Sequence, residues 1–447
     1  MLQCLKREPG FYRYLWGLTG PIALQNLITF TLGLMDTLMV SWLGNTQMAA
    51  VTTANVPVFL LISIVFGVQS GLSILVSQYW GKRDMEHISR AIGVAAMLGT
   101  GLTVVLAAVL YLWPVEIMDL LSNNHELSVL GAPYLKLIGI SYVFNMLSSL
   151  YVSARRSAED AGFGMKLFAM STVLNTGLNY LLIFGKFGFP EMGIAGAAIA
   201  SSISEGVSAL FYILYTRYRT DWRRYKFRFT GFDFSLLKQI LSLSVWVMIQ
   251  QGVAFLAWFL FFLCIEHLGK RDLAATNIVR AVSSLIFMFI NAFASTASSL
   301  VSNLLGAGYA EQIMPLCRKM IRLCFCFVLP LCILAAAIPY WTLRIYTDDV
   351  SLIEYAIPSL WVMLTTNIPC TAAFIYQFSV SGTGNTRTAL TIVACTSIVY
   401  VAYTALLVYG LHADVALCWT ADHVYYGCTL TASYLYMRYG NWRARKI

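Results

Sequence analysis

The sequence predicts an all-α membrane protein in which twelve transmembrane helices form two parallel six-helix bundles. Three observations support this prediction: a shortage of charged residues, a series of long apolar segments, and an internal repeat at a fixed offset. We expect the two bundles to be related by a pseudo-two-fold axis along the membrane normal.

The composition excludes an ordinary soluble protein. Charged residues make up 11% of the 447-residue chain and apolar residues 59%, whereas soluble proteins carry about 25% charged residues. The mean hydropathy of +0.70 agrees with this. The net charge of +9 would suggest nucleic-acid binding in a soluble protein. In a membrane protein the distribution of positive charge instead indicates which loops face the cytoplasm. We therefore expect no nucleic-acid partner.

Apolar segments long enough to cross a bilayer recur along the chain. A spanning helix needs about 20 apolar residues, whereas the strands of a membrane barrel alternate over about 10. Because backbone groups in lipid must satisfy one another, the segments are predicted to be helices. The twelve predicted spans are 14–42, 51–77, 91–113, 130–153, 167–187, 193–215, 239–265, 275–303, 321–341, 354–380, 388–410 and 415–437.

The positive charges predict the orientation of these spans. With a cytoplasmic N-terminus, 24 of the 30 Lys and Arg residues fall in cytoplasmic loops. Positive residues favour that side of the membrane. We therefore expect a multi-pass protein of the cell inner membrane with both termini in the cytoplasm.

The two halves of the chain match at a constant offset of 225 residues. The stretch LGNTQMAA at 43–50 matches LGKRDLAA at 268–275, and Pro114 matches Pro339. A constant register that includes paired prolines and glycines indicates a duplication. Each half has six spans and enters the membrane from the same side, which predicts lobes at 1–220 and 221–447. Two such bundles favour a carrier that works by alternating access.

A few polar residues lie inside the predicted spans, where charge is costly and each is a functional candidate. Asp36 is in the first span, and its repeat partner is Phe261, so this acid belongs to one half. Asp36 is a candidate ion or proton site, or it pairs with a neighbouring helix for packing. Asn175 and Asn179 are one helical turn apart. Their amide oxygens could complete a site for a hard cation or bond between helices.

Other polar residues in the spans leave several interpretations open. Glu205 could bind a cationic substrate, relay protons or pair with a polar neighbour. His423, next to Asp422, could titrate near neutral pH or be satisfied structurally. Arg280 could bind an anionic group, extend towards the interface, or pair with Glu266 or Asp272.

Proline and aromatic residues suggest where the protein bends and where a substrate lies. Pro21 removes a backbone hydrogen bond from the first span, which predicts either a hinge or a static bend. Aromatic faces attract organic cations. The candidates for lining a substrate cavity are Glu205, Gln251, Phe255, Trp258, Phe289 and Tyr376.

Together these features resemble the multidrug and toxic compound extrusion (MATE) family. The resemblance covers nearly the whole chain. It rests on the two six-span halves, the spacing of Pro21 and Asp36, and the stretches LGNTQMAAV, LVSQYWGKRD, GIAGAAIAS and SGTGNTRTA. It implies two six-helix lobes and outward antiport of amphipathic, often cationic compounds in exchange for inward Na⁺ or H⁺.

The resemblance also assigns residues. Asp36 matches the family's acid in helix 1, Asn175 matches its asparagine in helix 5, and Asn179 stands where many members have an aspartate. Ser201 falls near the position at which the family has a small hydroxyl residue in helix 6. One branch adds acids in helices 7 and 10, and the residues found there are Gln251, Ala254, Phe255 and Cys370. This implies that the second-lobe site is missing and that Asp36 is the candidate for Na⁺ or proton coupling.

The predicted function is therefore secondary antiport, with no enzyme activity and no cofactor beyond Na⁺ as a candidate coupling ion. No phosphate-binding Gly-Lys-Ser/Thr loop is present for ATP hydrolysis. One alternative is a lipid-linked oligosaccharide flippase of a related superfamily, which would need a basic cavity. Another is a membrane-embedded lipid-modifying enzyme, which would need clustered His, Asp or Glu. We expect a monomer whose partners are a small organic substrate and the lipid bilayer.

Overall fold

The computed structural model describes residues 8–122, 124–219 and 233–443, and all regular elements in these ranges are helical. This confirms the predicted all-α fold class. The twelve long helices in the described ranges are α1 (Glu8–Ser41), α2 (Asn45–Lys82), α3 (Met85–Leu112), α4 (His125–Ser157), α5 (Gly162–Phe184), α6 (Gly193–Arg219), α7 (Phe234–Leu268), α8 (Lys270–Gly306), α9 (Ile313–Ala337), α10 (Val350–Gly382), α11 (Thr386–Ala405) and α12 (Thr420–Tyr439). Most of the basic segment between the predicted lobes lies outside the described residues.

Most of these helices have the length and composition of membrane spans. Ten of the twelve in the described part of the chain are long and apolar enough to cross a bilayer. The other two, α10 and α12, carry more polar residues, among them Asn367 and Asp422. Large apolar side chains such as Leu38, Val105 and Ile398 are exposed. Exposed apolar surface of this extent is expected where a protein contacts lipid instead of water.

The internal repeat is visible in the backbone. Helix α3 ends before Pro114 and α9 ends before Pro339, and a short helix follows each proline. The residue between the two helices has nearly the same conformation in both halves, with φ −125° and ψ 50° at Trp113 and φ −125° and ψ 56° at Ile338. A proline disfavours helical geometry in the residue before it. The predicted span 321–341 was therefore too long at its C-terminal end.

The chain forms two compact units by its internal contacts. One unit comprises Gly20–Met248, and the other comprises Met1–Thr19 together with Ile249–Ile447. In the first unit α4 packs on α2, α3 and α6, and in the second α10 packs on α8, α9 and α12. The boundary between the predicted lobes was set by the sequence repeat, whereas the boundaries of these units are set by contacts within the structure. The two descriptions differ in the first halves of α1 and α7.

The first half of α1 belongs to the unit that contains the end of the chain. Phe11 and Leu15 are fully buried in the apolar core of that unit. The indole of Trp16 stacks on the ring of Phe327, with ring centroids 4.4 Å apart. Because these contacts end near Thr19, α1 passes from one compact unit to the other beside Pro21.

The first half of α7 belongs to the unit that contains α2. A side chain at Gly71 in α2 would place its Cβ 2.4 Å from the hydroxyl of Ser244 and 3.2 Å from the backbone oxygen of Ile240, both in α7. The absence of a side chain at Gly71 therefore allows α2 and α7 to approach closely. The beginning of each half of the chain is thus packed in the unit formed mainly by the other half.

A second close approach joins α5 and α6. A Cβ at Gly196 would lie 2.6 Å from the backbone oxygen of Leu182 and 2.7 Å from its carbonyl carbon. Backbone atoms cannot rotate away as the end of a flexible side chain can. Helix α6 can therefore lie this close to α5 only with glycine at this position.

We expect Gly196→Ala to destabilise the protein by about 1–3 kcal/mol, because the added methyl group must push the two helices apart. Gly177→Ala is the matched control in α5, since nothing lies within 4 Å of a Cβ there. The measurement is the thermal unfolding midpoint of each purified variant in detergent. Equal midpoints for the two variants would contradict the close packing described here.

Candidate functional site

A cavity of about 510 Å³ lies within the unit Gly20–Met248. Its lining comes from α1, α2, α4, α5 and α6. Asp36 and Glu205 contribute carboxylates, and Asn175 and Ser201 contribute an amide and a hydroxyl. No Lys or Arg is among the residues that line it. The cavity is therefore acidic in a part of the protein where charge is expensive.

Four of the predicted site residues are joined by hydrogen bonds. The amide nitrogen of Asn179 donates to Asp36 Oδ1 at 2.5 Å and to Asn175 Oδ1 at 2.9 Å. The amide nitrogen of Asn175 then donates to Ser201 Oγ at 3.2 Å. Asn175 and Asn179 meet because they are one turn apart on α5. The packing of α1 and α6 against α5 supplies the two ends of this chain.

The network has oxygen atoms available for a cation. Oδ1 of Asn179 is buried and has no hydrogen-bond partner among the described residues. Together with the Asp36 carboxylate, Oδ1 of Asn175 and the Ser201 hydroxyl, it provides the oxygen ligands that hard cations prefer. Since a buried oxygen without a partner is costly, a bound cation or proton nearby would satisfy part of this set.

Glu205 forms a second polar group in the same cavity. Asn145 donates to its carboxylate at 3.1 Å, and the hydroxyl of Ser149 lies 3.4 Å from the Asn145 oxygen. Tyr142 lies close enough to interact electrostatically with Glu205. Glu205 thus pairs with a polar neighbour and also lines the cavity. Asn145 was not among the predicted site residues, although an asparagine within an apolar span was the available signal.

The other unit contains a cavity of about 320 Å³ at the equivalent place. Ten of its eleven lining residues are repeat partners of residues that line the first cavity, at the offset of 225. The chemistry differs, because Arg280 replaces Asn55 and Asp422 replaces Ala197. The duplication has kept the cavity and changed its charges.

The remaining candidates for a substrate cavity are dispersed. Trp258 lines the second cavity, whereas Gln251, Phe255, Phe289 and Tyr376 are not among the residues that line either one. Phe255 is exposed, and Tyr376 is buried in an apolar core. Their role in substrate binding stays a prediction.

The structure shows the surroundings of the other polar residues whose interaction partners the sequence had left open. Asp272 accepts a hydrogen bond from Tyr355 at 2.5 Å, and the acid that interacts with Arg280 is Asp422. The ring nitrogens of His423 lie 3.0 Å from the hydroxyls of Thr365 and Thr366. His423 is therefore satisfied structurally.

Comparison with known sequences identifies the family. A sequence model of the MatE family matches residues 21–181 and 238–406 of this chain. The chain belongs to the MatE family. This MatE-family chain is therefore a multi-pass membrane transporter of small molecules and not an enzyme.

Relatives with curated names are similar to this chain over most of its length. A probable multidrug resistance protein of Bacillus subtilis, YoeA, is 27% identical over 317 residues, which cover 70% of this chain and 68% of YoeA. A probable multidrug resistance protein of Thermotoga maritima, NorM, is 24% identical over 390 residues, which cover 85% of this chain and 81% of NorM.

Solved structures share the fold. A MATE protein crystallised in the straight conformation has a TM-score of 0.88 at 19% identity, covering 99% of this chain and 97% of that one. A variant of the Vibrio cholerae MATE transporter VcmN has a TM-score of 0.84 at 19% identity, covering 97% of this chain and 98% of that one. At these identities the likeness concerns the fold, and it agrees with the two-lobe, twelve-helix arrangement.

We expect Asn179→Ala to destabilise the protein by about 1–3 kcal/mol, because it leaves buried acceptors without a donor. Thr404→Ala is the matched control at the repeat partner, where the hydroxyl bonds only to its own helix, at Tyr400. The thermal unfolding midpoints of Asn179→Ala, Asp36→Ala and their double variant measure the coupling between the two residues, because each alanine removes one partner of the hydrogen bond. Additive effects of the two substitutions would show that their hydrogen bond contributes nothing.

Proposed function

We propose that this transporter is a secondary antiporter that exports amphipathic, often cationic small molecules in exchange for Na⁺ or H⁺. The observation that carries this proposal is the acidic cavity built around Asp36 and its hydrogen bonds to α5. The curated relatives are named as probable multidrug resistance proteins. Export of organic cations suits a cavity that contains two carboxylates and no basic lining residue.

Asp36 is proposed to bind the coupling cation or proton. The amide of Asn179 holds the carboxylate by a hydrogen bond of 2.5 Å, and Asn175 links Asn179 to Ser201 on α6. Occupancy of the Asp36 carboxylate therefore alters contacts that join α1, α5 and α6. A local change in charge can in this way affect the packing of three helices.

Competition for one acidic cavity gives the coupling. An organic cation and the coupling cation both favour the negative charge of Asp36 and Glu205, and the low dielectric of the membrane interior strengthens that attraction. When one of them is bound, the net negative charge available to the other falls. Binding of either one thus opposes binding of the other, which is an unfavourable, positive coupling free energy between the two ligands.

Pro21 is proposed to act as the hinge of α1. Proline lacks a backbone N–H and cannot bond to the carbonyl one turn earlier in the helix. Pro21 lies two residues after Thr19, where α1 passes from one compact unit to the other. A weakened helix at this point would let the part of α1 that carries Asp36 move while its first half stays packed.

The flippase alternative finds less support in the cavity of the first unit. Recognition of a lipid-linked diphosphate would require basic residues, whereas the cavity lining includes Asp36 and Glu205 and neither Lys nor Arg. The lipid-modifying enzyme would need a cluster of His, Cys, Asp or Glu. No group of three such residues that could hold a metal ion occurs in the described part of the chain.

We further propose that the transporter lies in the cell inner membrane as a monomer, with both termini in the cytoplasm. The excess of Lys and Arg in the loops assigned to the cytoplasm supports this orientation. The terminal residues and the basic segment at 220–232 lie outside the described residues. Cysteine labelling from each side of the membrane, with single cysteines placed in these segments, would test it.

We expect Asp36→Asn to reduce gradient-driven transport of a fluorescent organic cation to the level of empty proteoliposomes. The amide keeps the size of the side chain and loses the charge that binds the coupling ion. Imposed Na⁺ and H⁺ gradients are applied separately, and the gradient that drives the wild-type protein identifies the ion. Asp349→Asn is the control acid, because Asp349 caps the start of α10 and lies outside both cavities. Full transport by Asp36→Asn would refute the proposed role.

We expect Glu205→Gln to weaken organic-cation binding while the coupling ion still binds at Asp36. Glutamine keeps a side-chain oxygen that Asn145 can bond to and removes the negative charge. The measurement is the substrate concentration at half-maximal transport, which should rise, against the ion concentration at half-maximal driving, which should change little. The reverse pattern would assign Glu205 to the coupling ion instead.

A further inference from the structure

The second cavity contains a cation that is part of the chain. The guanidinium carbon of Arg280 lies 4.8 Å from the ring centroid of Trp419, 5.4 Å from that of Phe262, 5.5 Å from that of Phe261 and 5.7 Å from that of Trp258. Each aromatic face attracts a cation at such a distance. The four rings, which we call the aromatic cage, surround the guanidinium on several sides.

The negative partner of Arg280 is Asp422. This carboxylate is only 8% exposed, and it lines the second cavity together with Arg280. The hydroxyl of Tyr400 is a hydrogen-bond partner of Asp422 and also interacts with Arg280. A buried carboxylate without a cation would be strongly unfavourable, so Arg280 neutralises it.

The guanidinium itself makes few hydrogen bonds. Its Nε and Nη2 atoms are buried and have no hydrogen-bond partner among the described residues. The aromatic cage and the charge of Asp422 are thus the main interactions that hold Arg280 in the cavity. These surroundings resemble those of a bound organic cation. A structural arginine would use its guanidinium nitrogens in hydrogen bonds.

The repeat aligns this arrangement with the first cavity. Arg280 stands at the repeat position of Asn55, and both residues line their cavities. Phe261, a member of the aromatic cage, stands at the repeat position of Asp36. The first cavity therefore provides carboxylates for an exchangeable cation, whereas the second contains both a carboxylate and its own cation.

We infer that Arg280 is a built-in cation that occupies the second cavity in place of an exchangeable one. It neutralises Asp422 and prevents that cavity from binding Na⁺ or an organic cation. This inference rests on the proposed function in one respect, which is that the coupling cation binds at Asp36. If the second cavity binds no cation, coupling is confined to Asp36, with one coupling cation for each transport cycle. Removal of the guanidinium converts the aromatic cage and Asp422 into a site for a small guanidinium or ammonium ion.

The test uses the full-length protein in detergent with Asp36→Asn and Glu205→Gln present throughout, so that neither carboxylate of the first cavity contributes to binding. The probe is methylguanidinium chloride at millimolar concentration, and its binding is measured by calorimetry and by the rise in the unfolding midpoint. We expect Arg280→Ala to bind one methylguanidinium saturably. The parent with Arg280 present, and the variant with both Arg280→Ala and Asp422→Asn, should bind none.

Two results would overturn the inference. One is the absence of saturable binding to folded Arg280→Ala, and the other is undiminished binding after Asp422→Asn is added. If Arg280→Ala folds but is too unstable for the binding measurement, the pairing is tested by stability. Arg280→Ala with Asp422→Asn should then fold and have a higher unfolding midpoint than Arg280→Ala, and a lower or equal midpoint refutes the pairing.

The same variants separate this inference from the proposed function. Arg280→Ala in the background with Asp36 intact should bind a second cation, which doubles the measured binding stoichiometry. If wild-type protein binds no coupling cation at Asp36, the proposed coupling site fails. The methylguanidinium experiment is unaffected by that failure, because it is carried out without the charges of Asp36 and Glu205.

Discussion

A charge in the interior of a bilayer must be balanced by other groups of the protein, because the surrounding lipid cannot solvate it. In the first unit, Asp36 is held by the amide of Asn179, which is fixed by Asn175. In the second, Arg280 lies beside four aromatic rings and lines one cavity together with Asp422. The helices around each cavity bring these residues together.

Duplication explains why two similar cavities exist and divergence explains why they differ. The backbone has the same conformation at Trp113 and Ile338, and the cavity linings keep the same register. Backbone geometry depends on prolines, glycines and the overall apolar pattern, which the duplication has retained. The chemistry of a cavity depends on a few side chains, and substitutions such as Asn55 to Arg280 across the repeat can reverse it without altering the helices.

The candidate site also depends on the closeness of two helices. Asn175 and Ser201 form a hydrogen bond of 3.2 Å because α5 and α6 approach at Gly196. A polar network in the membrane is thereby held by apolar packing a turn or more away. Helices α1 and α7 each contribute residues to both compact units.

The sequence alone was enough to predict the helical fold class, the duplication, and Asp36, Asn175 and Asn179 as candidates for one site. Helices in lipid satisfy their own backbone, so hydropathy and spacing along the chain are sufficient to predict them. It did not determine which distant side chains meet. The partner of Glu205 is 60 residues away at Asn145, and Arg280 faces Asp422 although acids nearer in sequence were available. Only the tertiary structure decided these pairs, because helix packing brings together residues whose separation in sequence carries no signal of contact.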